Sequence, residues 1–297
     1  MTDQDRPQTG EEALRWAASF LKDRGWTNQA ARQEARLLLA KAWQKDALHL
    51  TIELKEQPDE AVWASFHSFV QQRGENVPLH YLLGEKEFMS LSFKVSPAVL
   101  IPRWETELLV EEAIRLGKAR AQAEPSSEGL PPLRILELGT GSGAIAVSLA
   151  YYLPAALLVA TDISKEALQV ARENAARHGV LERISFRQGD LFAPLAAGER
   201  FELIISNPPY LDAREMQQLP PDVRKEPALA LAGGEDGLAF YRRIAGQARQ
   251  HLAPNGRLLM EIGWQQGEAV KGILTGQGYA PVKILRDLEQ RDRVVVY

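Results

Sequence analysis

A doubly wound α/β fold is what this sequence predicts: a mostly parallel seven-stranded sheet with an antiparallel last strand, and a small N-terminal helical bundle ahead of it. From Leu133 onward, short apolar runs alternate with segments of helical period, the pattern of a parallel sheet covered on both faces. The last two runs are joined by too few residues for a helical crossover, so the final strand should turn back antiparallel. Residues 11–75 show helical spacing alone, which predicts a bundle.

The bundle is expected over residues 1–78. Leu14, Ala17, Ala18 and Leu21, then Leu37, Leu38, Leu39 and Trp43, then Trp63, Phe66, Phe69 and Val70 recur at helical intervals. Thr27 marks one helix start, and Pro58 is expected in the first turn of another helix. Such a domain packs or docks a partner and carries no chemistry of its own. Residues 79–102 change to strand formers, among them Phe88, Leu91, Phe93, Val95, Val99 and Ile101, and predict a hairpin linker. Residues 103–297 form the sheet domain. A helix over 105–116 and a Gly, Ser and Pro loop over 119–132 lead into it. Strands are expected at 135–138, 157–161, 184–186, 201–206, 257–262, 282–285 and 294–297. Helices are expected at 144–152, 165–178, 238–251 and 265–276.

Composition narrows the chemistry. The 297 residues include no cysteine, which excludes disulfides, thiolate metal sites and cysteine nucleophiles; no metal site is expected. No run of eighteen apolar residues occurs and the first ten residues are polar, so neither a membrane span nor a secretory signal is expected. A cytoplasmic monomer without a membrane partner is the expectation. The net charge of −4 argues against nucleic acid as a direct partner.

Gly139-Thr140-Gly141-Ser142-Gly143 follows the first sheet strand and opens a helix. In an open parallel sheet this is where ligands bind, and glycine lets the backbone turn and approach them closely. Asp162 stands just past the second strand, where a carboxylate can accept both hydroxyls of a ribose. The two features together indicate an adenosine-containing cofactor and do not separate a nicotinamide dinucleotide from S-adenosylmethionine. Asp190 follows the third strand and is expected beside the adenine, with Leu191 over one ring face.

Asn207-Pro208-Pro209-Tyr210 follows the fourth strand, at the same sheet edge. Two prolines fix the backbone and remove two N–H donors. Acceptors remain: the Asn207 side-chain oxygen and the Pro208 carbonyl, a pair suited to the two hydrogens of a planar –NH2 group. Tyr210 can cover its flat face. The lone pair of an amide nitrogen is delocalised, so two fixed acceptors that pull on its hydrogens raise its reactivity where a base cannot. Alignment of this kind contributes about 7 to 11 kcal/mol, and fixed dipoles add to it. The predicted reaction is methyl transfer from S-adenosylmethionine to a planar nitrogen, with Asn207, Pro208, Pro209 and Tyr210 as catalytic residues. Gly139, Thr140, Gly141, Ser142, Gly143, Asp162, Asp190, Leu191 and Asn207 are expected to bind the cofactor.

The assembled motifs resemble the peptide chain release factor glutamine N5-methyltransferase family, within the class I S-adenosylmethionine-dependent methyltransferases. The resemblance runs from about residue 11 to the end. It includes His80-Tyr81-Leu82-Leu83-Gly84, Phe88, and Val99-Leu100-Ile101-Pro102-Arg103-Trp104-Glu105-Thr106-Glu107. It continues in Glu226-Pro227, Gly233-Gly234-Glu235-Asp236-Gly237-Leu238, Glu261-Ile262-Gly263 with Gln266, and Asp287 with Arg291-Asp292-Arg293-Val294-Val295. It implies that the substrate is the glutamine of a Gly-Gly-Gln loop in class 1 release factors, docked by the helical domain. It also implies that Asn207 and Pro208 bind the amide. Arg103 and Glu105 either close the site from the hairpin side or each serve in an ordinary surface salt bridge. Trp104, Ser90, Gln290 and Leu191 depart from the family pattern: Trp104 replaces a proline, Ser90 and Gln290 replace glycines, and Leu191 stands where tryptophan is frequent. Glutamine methylation of a large-subunit ribosomal protein and N6-adenine methylation of nucleic acid are the alternatives. An inactive binding module and a nicotinamide oxidoreductase fit less well.

Overall fold

The computed structural model describes residues 7–45, 50, 54–123 and 132–297. They fall into two compact units, one of Met1–Gly84 with Pro221–Lys225 and one of Glu85–Pro220 with Glu226–Tyr297.

In the first unit, helices α1 (Gly10–Lys22), α2 (Asn28–Trp43), α3 (Glu60–Gly74) and the short α4 (Leu79–Leu83) pack on one another. Each long helix begins on a side-chain oxygen: Thr9, Thr27 and Asp59 accept from the amides of Glu12, Ala30 and Val62, satisfying amides that the helix leaves open. Asp59, and not Pro58, opens α3; Pro58 precedes the cap. Ala17, Leu21, Leu38, Leu39, Trp63, Phe66 and Val70 fill the core, whereas Leu37 points outward. Buried Arg73 is held by Glu34 at 2.6 Å.

The second unit opens with hairpin β1 (Glu85–Phe88) and β2 (Leu91–Lys94). The hairpin is shorter than the 79–102 expected, because residues 79–83 are helical. A turn of 3-10 helix at Trp104–Thr106 leads into α5 (Glu107–Ala123). This helix runs through residues 119–123, where a loop was expected; residues 124–131 lie outside the described residues. The sheet follows: β3 (Arg134–Leu138), α6 (Ala144–Tyr152), β4 (Leu157–Asp162), α7 (Lys165–Arg177), β5 (Ile184–Gln188) and β6 (Phe201–Ser206). Then come α8 (Ala213–Gln217), α9 (Ala239–His251), β7 (Leu252–Glu261), α10 (Gly267–Gly276), β8 (Lys283–Arg286) and β9 (Asp292–Val296). Strand order is β5-β4-β3-β6-β7-β9-β8. β9 runs antiparallel between β7 and β8, as the short connection requires. β7 starts five residues before the expected 257, since Pro254-Asn255-Gly256 reads as a turn and Asn255 does have φ +61°.

Apolar layers cover both faces of the sheet, one built on Ile135, Val147, Leu149 and Ala171, the other on Leu136, Tyr241, Ile244 and Leu258. The register then places the motifs. Leu138 pairs with Thr161 on one side and Ser206 on the other, so Gly139, Asp162 and Asn207 are the next residues of three adjacent strands. Asp162 pairs with Gln188 and Ser206 with Met260, which brings Asp190 and Glu261 to the same edge.

Candidate active site

A cavity of about 270 Å³ lies at this edge. Gly139, Gly141, Asp162, Asp190, Leu191, Asn207, Pro208 and Pro209 line it, with Ile163, Leu229, Phe240 and Arg243 among their neighbours. A larger depression, about 590 Å³, lies on the helical unit between Arg15, Lys22, Arg32 and Arg36 and brings together none of the sequence-predicted site residues.

Asp162 is held ready by backbone amides: Oδ2 accepts from Gly141 at 2.8 Å and Oδ1 from Ser164 at 2.9 Å. Burial raises its pKa, and these hydrogen bonds oppose the rise. The helix cap beyond it is Ser164, whose hydroxyl accepts from Ala167. Asp190 reaches the cavity with one oxygen already taken by Arg243 at 2.6 Å. Leu191 is buried with φ +50°.

Thr140, Ser142 and Gly143 are not among the lining residues. They build the loop that carries Gly139 and Gly141. Thr140 donates to Glu137 Oε2 at 2.6 Å, which also accepts from the Ala146 amide. Burial pushes the Glu137 carboxyl up to about 8, and its Oε1 has no hydrogen-bond partner among the described residues. The Ser142 carbonyl accepts from Asn174, which also bonds Lys94. Gly143 opens α6 at φ +80°, and a Cβ there would sit 3.0 Å from that of Ala171; it is a packing glycine.

In the tetrapeptide, Asn207 Nδ2 donates to Thr106 Oγ1 at 3.1 Å. Asn207 also lines a second, smaller cavity of about 40 Å³, with Arg103, Tyr210, Leu100 and Leu231. Tyr210 lies in that smaller cavity and outside the larger one. Burial, reinforced by the charge of Glu261, pushes its phenol well above the usual tyrosine range. The segment is braced from outside. Gln266 Nε2 donates to the Tyr210 carbonyl at 2.9 Å. A Cβ on Gly233 would approach Tyr210 Cα at 2.7 Å, and one on Gly237 would meet the Tyr210 carbonyl at 2.5 Å.

Several residues of this site escaped assignment from the sequence. Glu226 is buried, accepts from the Ile101 amide at 3.0 Å and pairs with Arg103 at 2.5 Å. Arg103 is thus an internal clamp. Glu105 lies 4.0 Å from Arg293, whose other partner is Asp287 at 2.8 Å. Thr106 and Glu261 are buried beneath Asn207. Each belongs to a motif visible in the sequence, but its spacing names no partner.

The cavity suits an adenosine-type group: fixed carboxylates at Asp162 and Asp190 for hydroxyl or amine hydrogens, and apolar side chains of Ile163, Leu191 and Phe240 for a flat ring. Among the described residues no cluster could hold a metal ion, and no helix is long and apolar enough to cross a membrane.

Comparison with known proteins follows the same division. Residues 12–84 match the PrmC N-terminal domain and residues 131–280 a methyltransferase domain. A release factor glutamine methyltransferase of Moorella thermoacetica is 42% identical over 97% of this chain and 96% of its own length. One of Cereibacter sphaeroides is 46% identical over 96% of each. Among solved structures, a human methyltransferase 10 domain containing protein superposes with a TM-score of 0.51 at 16% identity, over 70% of this chain and 88% of that one; at that identity the likeness is one of fold.

Proposed function

We propose, because this chain belongs to the release factor glutamine methyltransferase family, that it methylates the side-chain amide nitrogen (N5) of the glutamine in a release factor's Gly-Gly-Gln loop. The methyl donor is S-adenosylmethionine, which when bound supplies an electrophilic methyl on a positively charged sulfur. The observation that carries the reading is the position of Asn207. It lines both cavities, and its Nδ2 is engaged by Thr106, so Oδ1 is the atom left to accept from a guest.

Asp162 and Asp190 would hold the donor's polar edges, and Leu191 and Phe240 would flank its ring. The target amide enters from the side of Tyr210. Asn207 Oδ1 and the Pro208 carbonyl accept its two hydrogens, fixing the nitrogen lone pair along one line. Neither Pro208 nor Pro209 has an N–H that would compete. Tyr210 covers the amide and excludes water; its raised pKa keeps the phenol neutral. The nitrogen would gain positive charge as its bond to the methyl forms and the sulfur–methyl bond breaks, and would release its proton to bulk water as the methylated loop leaves, so no strong base is required before transfer. The helical unit docks the release factor, and the reaction serves translation termination in the cytoplasm.

Incubation with methyl-labelled S-adenosylmethionine and, separately, a release factor, a large-subunit ribosomal protein and DNA tests this. Label in the release factor glutamine is expected. Label confined to the ribosomal protein or to DNA would replace the reading.

A further inference from the structure

An asparagine amide fits its site equally well in two orientations that exchange donor and acceptor. Shape alone therefore cannot decide whether Asn207 turns an oxygen or an NH2 group toward the cavity, yet only the oxygen can accept from a substrate amide. Something must choose, and the residues beneath Asn207 are built to do so. Ser206 pairs with Met260 across the sheet, which sets Asn207 beside Glu261. Glu261 is 1% exposed and Thr106 is 5% exposed. Thr106 and Asn207 are the hydrogen-bonding side chains that face the Glu261 carboxyl, and Asn207 Nδ2 donates to Thr106 Oγ1 at 3.1 Å. The Glu261 oxygen Oε2 has no hydrogen-bond partner among the described residues, so the carboxyl is buried with an incomplete set of partners. A buried acid without a full set of partners costs stability.

We propose that Glu261 and Thr106 are positioning residues for the reaction, holding Asn207 in the single amide orientation that turns its oxygen to the reacting nitrogen. An ionised carboxylate only accepts. With Glu261 accepting, the Thr106 hydroxyl donates downward and presents its lone pairs to Asn207, whose NH2 must then face inward. The chain of polarity runs from Glu261 through Thr106 to the cavity. The inference rests on the reading of Asn207 as the amide clamp.

Burial pushes the Glu261 carboxyl up to about 7; hydrogen bonding by Thr106 and Asn207 and the charge of Arg293 oppose the rise, and the charge of Glu105 adds to it. The phenols of Tyr210 and Tyr241 also face it, and their own ionisation is pushed upward. Protonated Glu261 can donate, and the lock loosens. Turnover should therefore fall on the acid side of neutrality.

The test compares kcat, KM for a release factor and cofactor affinity across pH in the full chain and its Thr106→Val, Thr106→Ser, Glu261→Gln and Asn207→Ala variants. Thr106→Val and Glu261→Gln should lower kcat about tenfold to a hundredfold while KM and cofactor affinity stay within about twofold. Thr106→Ser should recover most of the loss, since it keeps the hydroxyl. The acid limb near neutral pH should disappear in Glu261→Gln; a limb from Glu137 would persist there and is thereby told apart. Near-normal kcat in Thr106→Val and Glu261→Gln, with Asn207→Ala inactive, overturns the lock and leaves the clamp standing. Near-normal kcat in Asn207→Ala overturns the clamp itself. If Glu261→Gln fails to fold, the Thr106 pair decides alone: equal loss in valine and serine overturns the proposal.

Discussion

Gln266 ties the backbone of Tyr210 to that of Gly263 through the two ends of its side-chain amide: Nε2 donates to the Tyr210 carbonyl at 2.9 Å and Oε1 accepts from the Gly263 amide at 3.0 Å. This grip, with Gly237 closing against the same carbonyl, sets the path of the chain as it leaves Pro209. Gln266→Leu leaves both backbone groups unpaired, a loss of about 1–3 kcal/mol. The expected outcome is a lower melting temperature and a fall in kcat with cofactor affinity retained, read by calorimetry and single-turnover transfer.

Asp162 accepts from two amides and keeps a carboxylate at the cavity wall. Asp162→Ala should weaken cofactor binding by about tenfold to a hundredfold, the loss of a hydrogen bond to a charged group worth about 1.5–3 kcal/mol. Isothermal titration with S-adenosylhomocysteine measures it. Unchanged affinity would remove Asp162 from the cofactor site.

Stability should depend on pH through Glu137. Its folded-state pKa, about 8, lies above the ordinary value of 4.5 because burial penalises the charged form. The folded protein then binds more protons than the unfolded chain between those values. Stability is highest below about pH 4.5 for this group and declines as pH rises through 8, at up to about 1.4 kcal/mol per pH unit. Buried Glu261 adds the same sign up to about 7. Glu137→Gln should flatten the decline in a series of denaturant melts; an unaltered slope would mean that Glu137 does not titrate there.

Ser90 carries φ +58° and its neighbour Met89 φ +50° in the two-residue turn between Phe88 and Leu91. A turn of this kind favours glycine. The left-handed conformation costs a serine about 1–2 kcal/mol, and glycine gives back about 0.5–1 through backbone entropy. Ser90→Gly should thus raise the melting temperature by about 1–3 °C, without effect on transfer.

Much of this fold could be read from residues, and the boundary of what could is physical. Period and alternation located every strand of the sheet, because burial on two faces leaves short apolar runs such as Leu203-Ile204-Ile205. Residues 119–123 read as loop because breakers follow them, yet Ala, Arg and Gln are strong helix formers and the helix continues to Ala123. At the site, Gly139, Gly141, Asp162, Asp190, Leu191, Asn207, Pro208 and Pro209 converge on one cavity, since each follows a strand at one sheet edge. Thr140, Ser142 and Gly143 share that loop but serve its interior; spacing cannot say which way an alternating loop residue points. Thr106 and Glu261 meet Asn207 from 101 and 54 positions away in the chain, and no local pattern encodes such a meeting. Ser90 and Gln290, read as departures from glycine, do stand at positive φ.

The clamp itself can be tested by one measurement: single-turnover transfer of labelled methyl to a release factor by Asn207→Ala, alongside its cofactor affinity. The account predicts cofactor binding within about twofold of the unmodified chain and no detectable transfer to glutamine. Transfer at close to the original rate would contradict it.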